Sequence, residues 1–167
     1  MRIADPFVNE LNMEAATTKR VLERVPEAHL EWRPHRKSMS LGQLALHVAT
    51  LPSVVARFLS SDALDFDSVP KTPPTAGSQA ELLAAFAAST EQARSYLAEL
   101  IDERALATWR LVAGERELLA APRAVMLRSL LFNHWYHHRG QLVVYLRLLE
   151  VPVPSVYGPT ADENPFA

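Results

Sequence analysis

Apolar residues recur every three or four positions from Leu127 to Leu149, and inside that run lies the stretch from Asn133 to Gln141, reading Asn-His-Trp-Tyr-His-His-Arg-Gly-Gln. The period predicts a helix. On a helix His134 and His138 stand one turn apart, separated by roughly 40° around the axis. At that phase they share a side with Leu127, Leu130, Leu131, Tyr145, Leu148 and Leu149, whereas Arg128, Tyr136, Arg139 and Arg147 project away from it. The two imidazoles are therefore expected to face the core. Such a pair has two readings: two nitrogen ligands offered to one divalent ion, or two core histidines satisfied by neighbouring hydrogen-bonding groups. His137 falls on the flank of the apolar stripe, beside the pair.

The remaining chain supplies three more helices. Asp5-Pro6 reads as an N-cap followed by proline at the first helical position, and Phe7, Leu11, Ala15, Thr18, Leu22 and Val25 continue at helical spacing until Pro26. The segment from Pro26 to Met39 reads as a connection with one short helical turn, and its His29 and His35 as solvated surface residues. Ser40-Leu41-Gly42-Gln43 is a capping box that opens the second helix. On it His47 shares a face with Leu44, Leu51, Val54 and Phe58, so a third histidine points inward. Pro52 is expected to kink this helix without ending it, because the apolar period resumes after it.

Residues 60 to 77 carry several Ser, Asp and Pro with no period, which predicts a long ordered connection. A second capping box, Ser78 to Glu81, opens the third helix, followed by Leu82, Phe86, Ala93, Leu97 and Ile101. Trp109 to Val112 and Arg116 to Leu119, around Ala113-Gly114-Glu115, suggest a small hairpin, although an isolated two-stranded ribbon is marginal. Pro122 opens the fourth helix, which extends to about Glu150. The proline-rich tail beyond it cannot be helical, and Val151, Val153, Val156 and Tyr157 predict that it packs along the bundle. The expected fold is an all-α four-helix bundle, a single domain over residues 1–167, with a long connection between helices 2 and 3 and a non-helical C-terminal tail.

Composition removes several function classes. A formal charge of −2 provides no basic footprint for nucleic acid. The absence of cysteine excludes disulfides, thiolate catalysis by the chain itself and cysteine-ligated zinc. The N-terminus lacks an apolar signal core and no apolar run is long enough for a bilayer, so a cytoplasmic protein without membrane partners is expected. With 167 residues, almost half of them apolar, the chain has enough material for a proper core.

His47, His134 and His138 together make three inward imidazoles, the number an open metal site uses while leaving positions for water or substrate. Sharper motifs fail. Trp135 occupies the position where a His-Glu-x-x-His metalloprotease carries its glutamate, there is no Glu-x-x-His pair of the di-iron bundles, and neither a phosphate loop nor a Gly-x-Ser-x-Gly elbow occurs. Arg139 and Gln141 join His137 as candidates for the rim of the site, with Arg139 projecting away from the apolar stripe.

The helix start Gly-Gln-Leu-Ala-Leu-His ending at His47, the block Asn-His-Trp-Tyr-His-His-Arg-Gly-Gln and the ending Val-Pro-Ser-Val-Tyr-Gly-Pro-Thr-Ala-Asp-Glu resemble the DinB-like/YfiT-like metalloenzyme family over nearly the whole chain. That family is unrelated to the translesion polymerase sharing its name. The resemblance implies a four-helix bundle, a divalent metal, nickel or zinc, held by His47, His134 and His138, and a homodimer. Relatives in the wider superfamily include thiol-dependent S-transferases and a mycothiol-dependent maleylpyruvate isomerase. The resemblance thus implies a metal-dependent transferase or hydrolase acting on an unknown small molecule, a thiol being one candidate, against the alternative of a non-catalytic, metal-stabilised or metal-free stress-response module.

Overall fold

The computed structural model describes residues 1–167. Three long helices, α1 (Asp5–Leu22), α2 (Leu41–Ser60) and α3 (Gln79–Glu99), pack with a helical rod made of α5 (Arg123–Met126), a π-helical segment (Leu127–Asn133) and α6 (His134–Leu148). A short α4 (Asp102–Leu106) follows α3. Most of the chain is helical, and its buried apolar side chains join into one cluster that draws on all of these elements. No helix is long and apolar enough to cross a membrane.

The fold is not purely α-helical. β1 (Ala63–Asp65), β2 (Thr108–Ala113) and β3 (Arg116–Pro122) form a sheet in the order β1-β2-β3, with β1 parallel to β2 and β2 antiparallel to β3. The hairpin turns at Gly114, whose φ of 57° favours a residue without Cβ. Three features make this ribbon more than a marginal pair. The connection after α2 supplies the third strand, Trp109 is fully buried with its indole N–H donated to the Phe58 carbonyl at 3.0 Å, and the buried Arg123 donates to the carbonyls of Leu59, Ala107 and Ser61. Residues 60 to 77 are thus partly regular, holding β1 and a 3-10 turn at Phe66–Ser68.

Local signals place most of the helix starts. At α2 the capping box forms completely, the Ser40 hydroxyl accepting the Gln43 N–H at 3.2 Å and the Gln43 side-chain carbonyl oxygen accepting the Ser40 N–H at 2.9 Å. Gly42 lies beneath the connection to α3: a Cβ there would sit 2.6 Å from the Thr75 hydroxyl. At α3 the Ser78 hydroxyl caps Glu81, but the Glu81 carboxylate accepts from Gly77, so the reciprocal half of the box is displaced by one residue. The N-cap of α1 is Ala4, not Asp5; the Asp5 carboxylate turns back to the Arg2 N–H and guanidinium.

The last rod departs from an ideal α-helix. Seven residues, Leu127–Asn133, are π-helical, closing i→i+5 hydrogen bonds and adding about one residue to the turn. The buried positions therefore run Leu127, Leu131 with Phe132, Trp135, Arg139, Leu142 and Leu146, one residue out of step with a straight 3.6-residue extrapolation. Leu148, placed on the core side by that extrapolation, is exposed, and Arg139, placed outside, is 2% exposed. The tail packs as expected: Val153 and Ser155 are buried, and Asp162 and Glu163 accept the backbone N–H groups of Val153 and Ser155 at 2.8 and 2.9 Å.

Candidate metal centre

His47 on α2 and His134 and His138 at the start of α6 meet between those two helices. Their ring centroids lie 5.3, 4.5 and 4.6 Å apart, and one nitrogen from each ring falls within 4.8 Å of the others. All three are half-buried; on α6 the π-helical shift carries His134 and His138 to the flank of the buried face while keeping them turned to α2.

The donor set suits a divalent ion. Two nitrogens bound at zinc distances with bond angles of about 90–110° sit about 2.9–3.4 Å apart, and here the Nε2 atoms of His134 and His138 are 2.8 Å apart. The Gln141 carbonyl oxygen accepts from His138 Nδ1 at 2.8 Å, which leaves the proton on Nδ1 and the lone pair on Nε2. The Leu130 backbone beside His134 favours its protonated form, against the burial that lowers its pKa. The Gln141 bond does for His138 what an outer partner does for a metal-bound imidazole, fixing tautomer and orientation.

Charge favours the neutral ligand form. Burial, reinforced by the other two imidazoles, pulls His47 from 6.5 down to about 4. Burial also lowers His134 and His138, opposed by the Leu130 and Gln141 hydrogen bonds. At neutral pH all three present uncharged rings, the protonation state a metal requires. No carboxylate contributes to any of these shifts.

The surroundings keep α2 and α6 in register. The Trp135 indole N–H donates to the Val48 carbonyl at 2.9 Å, next to His47 in sequence. Tyr145 donates to the Met39 carbonyl at 3.3 Å and stands edge-on to Trp32, which ties the connection before α2 to α6. Gln43 reaches the Pro73 carbonyl at 3.1 Å, which fixes the long connection beside α2.

The other candidates separate. His137 is exposed, its ring 5.0 Å from that of His138. Gln141 is exposed but contacts the cluster directly. Arg139 belongs to neither surface nor metal cluster: it points to α1, where it pairs with Glu14 at 2.6 Å, bonds the Thr18 hydroxyl at 3.0 Å and contacts the Tyr157 hydroxyl of the tail. The expectation that it projects outward fails because the π-helical segment turns α6 by one residue. His29 and His35 are exposed and lie outside the cluster. Sequence reasoning missed the Trp135 contact, although Pro52 was a signal for it: a proline leaves the carbonyl four residues earlier without its helical donor.

Comparison with known proteins agrees with this architecture. A sequence model of the DinB family matches residues 2–164. The uncharacterized protein YrdA of Bacillus subtilis (strain 168) is 23% identical over 159 residues, which span 95% of this chain and 90% of that protein. A solved DinB-like protein from Bacillus cereus ATCC 10987 superimposes with a TM-score of 0.70 at 24% identity, covering 90% of this chain and 95% of the other. For the DinB-like protein YjoA from Bacillus subtilis the TM-score is 0.69 at 19% identity, covering 96% and 100%. At these identities the solved structures speak to the fold alone.

Proposed function

This chain belongs to the DinB family, and from that membership and the meeting of its three histidines we propose that it is a divalent-metal-binding protein, with nickel or zinc held by His47, His134 and His138, acting as a metal-dependent transferase or hydrolase. The observation that carries the reading is the approach of three neutral imidazole nitrogens to one point between α2 and α6. A bound dication would supply Lewis acidity, lowering the pKa of a coordinated water or thiol toward neutrality.

The chain's own residues prepare for that chemistry. Gln141 takes the Nδ1 proton of His138 in a hydrogen bond and leaves Nε2 free to donate its lone pair. Three neutral donors bring no negative charge, so nothing among them offsets the charge of a dication. Since the chain has no cysteine, a thiol nucleophile must arrive with the substrate. Trp135, at the position after His134, is buried and committed to Val48, so it supplies no general base there.

Elemental analysis of untagged protein tests the proposal. Wild type is expected to carry about one ion per chain, and His134→Ala to lose it, together with any activity found in a panel pairing low-molecular-weight thiols with electrophiles and activated esters with water. Stoichiometric metal retained in His134→Ala would remove the ligand assignment. A competing reading, imidazoles satisfying one another in a metal-free module, draws on the 2.8 Å contact between His134 and His138. It predicts that chelators leave the thermal melt unchanged and that added zinc or nickel does not raise it.

A further inference from the structure

We infer that the hydrogen bond from Trp135 to Val48 is the device that sets α2 against α6 so that His47 meets His134, and that Pro52 keeps the Val48 carbonyl available for it. Trp135 is on this view a positioning residue. The geometric half stands on the fold alone; its consequence for metal binding rests on the reading proposed above.

Pro52 lies inside α2, with no N–H to return to the carbonyl of Val48 four residues earlier. That carbonyl sits in the interior, where a polar group without a partner is costly. Val48 and Trp135 are both fully buried, and the indole N–H reaches the carbonyl at 2.9 Å. The acceptor adjoins His47 in sequence and the donor adjoins His134. One hydrogen bond therefore pins together the residues flanking one imidazole on each helix, and neither helix can slide along the other without leaving the carbonyl bare.

The next turn of α2 is held independently. The Ser53 N–H donates to the Ser89 hydroxyl of α3 at 3.0 Å, so the segment after Pro52 has its own anchor. On the other side, the Trp135 ring lies 6.3 Å from that of Phe86 on α3, which fills the space behind the indole. Proline in one helix and tryptophan between two histidines of the other thus act as a matched pair.

The decisive variant is Pro52→Ala combined with Trp135→Phe. The first substitution restores a helical N–H to the Val48 carbonyl and the second removes the interhelical donor, so no buried carbonyl is left without a partner while the tie is gone. The double variant is expected to keep native helicity by circular dichroism and to bind zinc at least about tenfold more weakly than wild type in competition with a chromophoric chelator. In the metal-free protein the nuclear Overhauser contacts between the His47 and His134 rings are expected to weaken or vanish. Wild-type zinc affinity, or unchanged ring contacts in a folded double variant, would overturn the inference.

Pro52→Ala alone provides the second arm should the double variant not fold. There the restored backbone N–H and the Trp135 indole compete for one carbonyl, the same ring contacts are expected to weaken by a smaller amount, and unchanged contacts count against the proposal. If wild type itself takes up no zinc, the metal reading fails and the ring contacts alone decide, their loss supporting the positioning role and their persistence refuting it.

Discussion

His138 and Arg139 are neighbours on α6, yet they belong to two regions built on opposite principles. On the Arg139 side every charge has its complement: the guanidinium pairs with Glu14 at 2.6 Å and lies 5.2 and 5.0 Å from the ring centres of Tyr136 and Tyr157. Beyond it, Glu10 accepts two bonds from Arg128, at 2.7 and 2.6 Å, and one from Tyr136 at 2.5 Å. On the His138 side three imidazoles converge with no carboxylate among them. Buried charge that finds its partner within the chain is architecture. Half-buried donors aimed at one another without a counter-charge could hold a divalent ion.

If that division is sound, the two regions fail in different ways. Arg139→Ala should have the largest effect on folding, about 3–5 kcal/mol in urea denaturation, because Glu14 loses its partner in a site that is largely out of water. It should leave zinc affinity per folded molecule unchanged. A large drop in that affinity would break the comparison by showing that the ion-pair side also shapes the histidine side. Gln141→Leu should do the reverse: roughly 10–100-fold weaker zinc binding by competition titration, from the lost orientation of His138, with little change in the metal-free melt.

Acid sharpens the contrast. The native pKa of His47 lies below its unfolded value of 6.5, so the unfolded chain takes up the proton first. Its contribution is complete above pH 6.5, is lost as pH falls toward about 4, and adds no further slope below that. Glu10 is held below its ordinary 4.5 mainly by Arg128, against partial burial and with help from Tyr136. Its contribution therefore persists through most of the histidine window and is lost as the pH falls below 4.5. Urea melts of metal-free protein across this range should show His47→Asn reducing the slope in the upper window, where His134 and His138 also contribute, and Glu10→Gln reducing it in the lower one. The smallest effect belongs to Tyr157→Phe, which removes a hydroxyl shared by Arg139 and Glu14. About 0.5–1.5 kcal/mol is expected from the same denaturation experiment, with zinc affinity unaltered.

The histidine side is far more legible in the sequence than the arginine side. Four-residue spacing puts His134 and His138 on one flank whatever the details of the helix, and the capping box at Ser40 fixes where α2 begins and hence which way His47 turns. Periodicity puts Arg139 on the wrong side because the π-helical segment needs only a changed hydrogen-bond register, which no residue type announces, and because its partners Glu14 and Tyr157 lie on other elements. The sheet escapes the all-α expectation for a related reason: β1 is three residues long, too short for any period, and its pairing with β2 is a tertiary event. The tail's apolar valines, by contrast, do announce that it packs.

X-ray absorption at the zinc edge of untagged, zinc-loaded protein tests the shared site most directly. Multiple-scattering signatures of three imidazoles with nitrogens at about 2.0–2.1 Å are expected, falling to two in His47→Ala. A first shell of oxygens alone, or a spectrum indifferent to the loss of His47, would contradict the shared site.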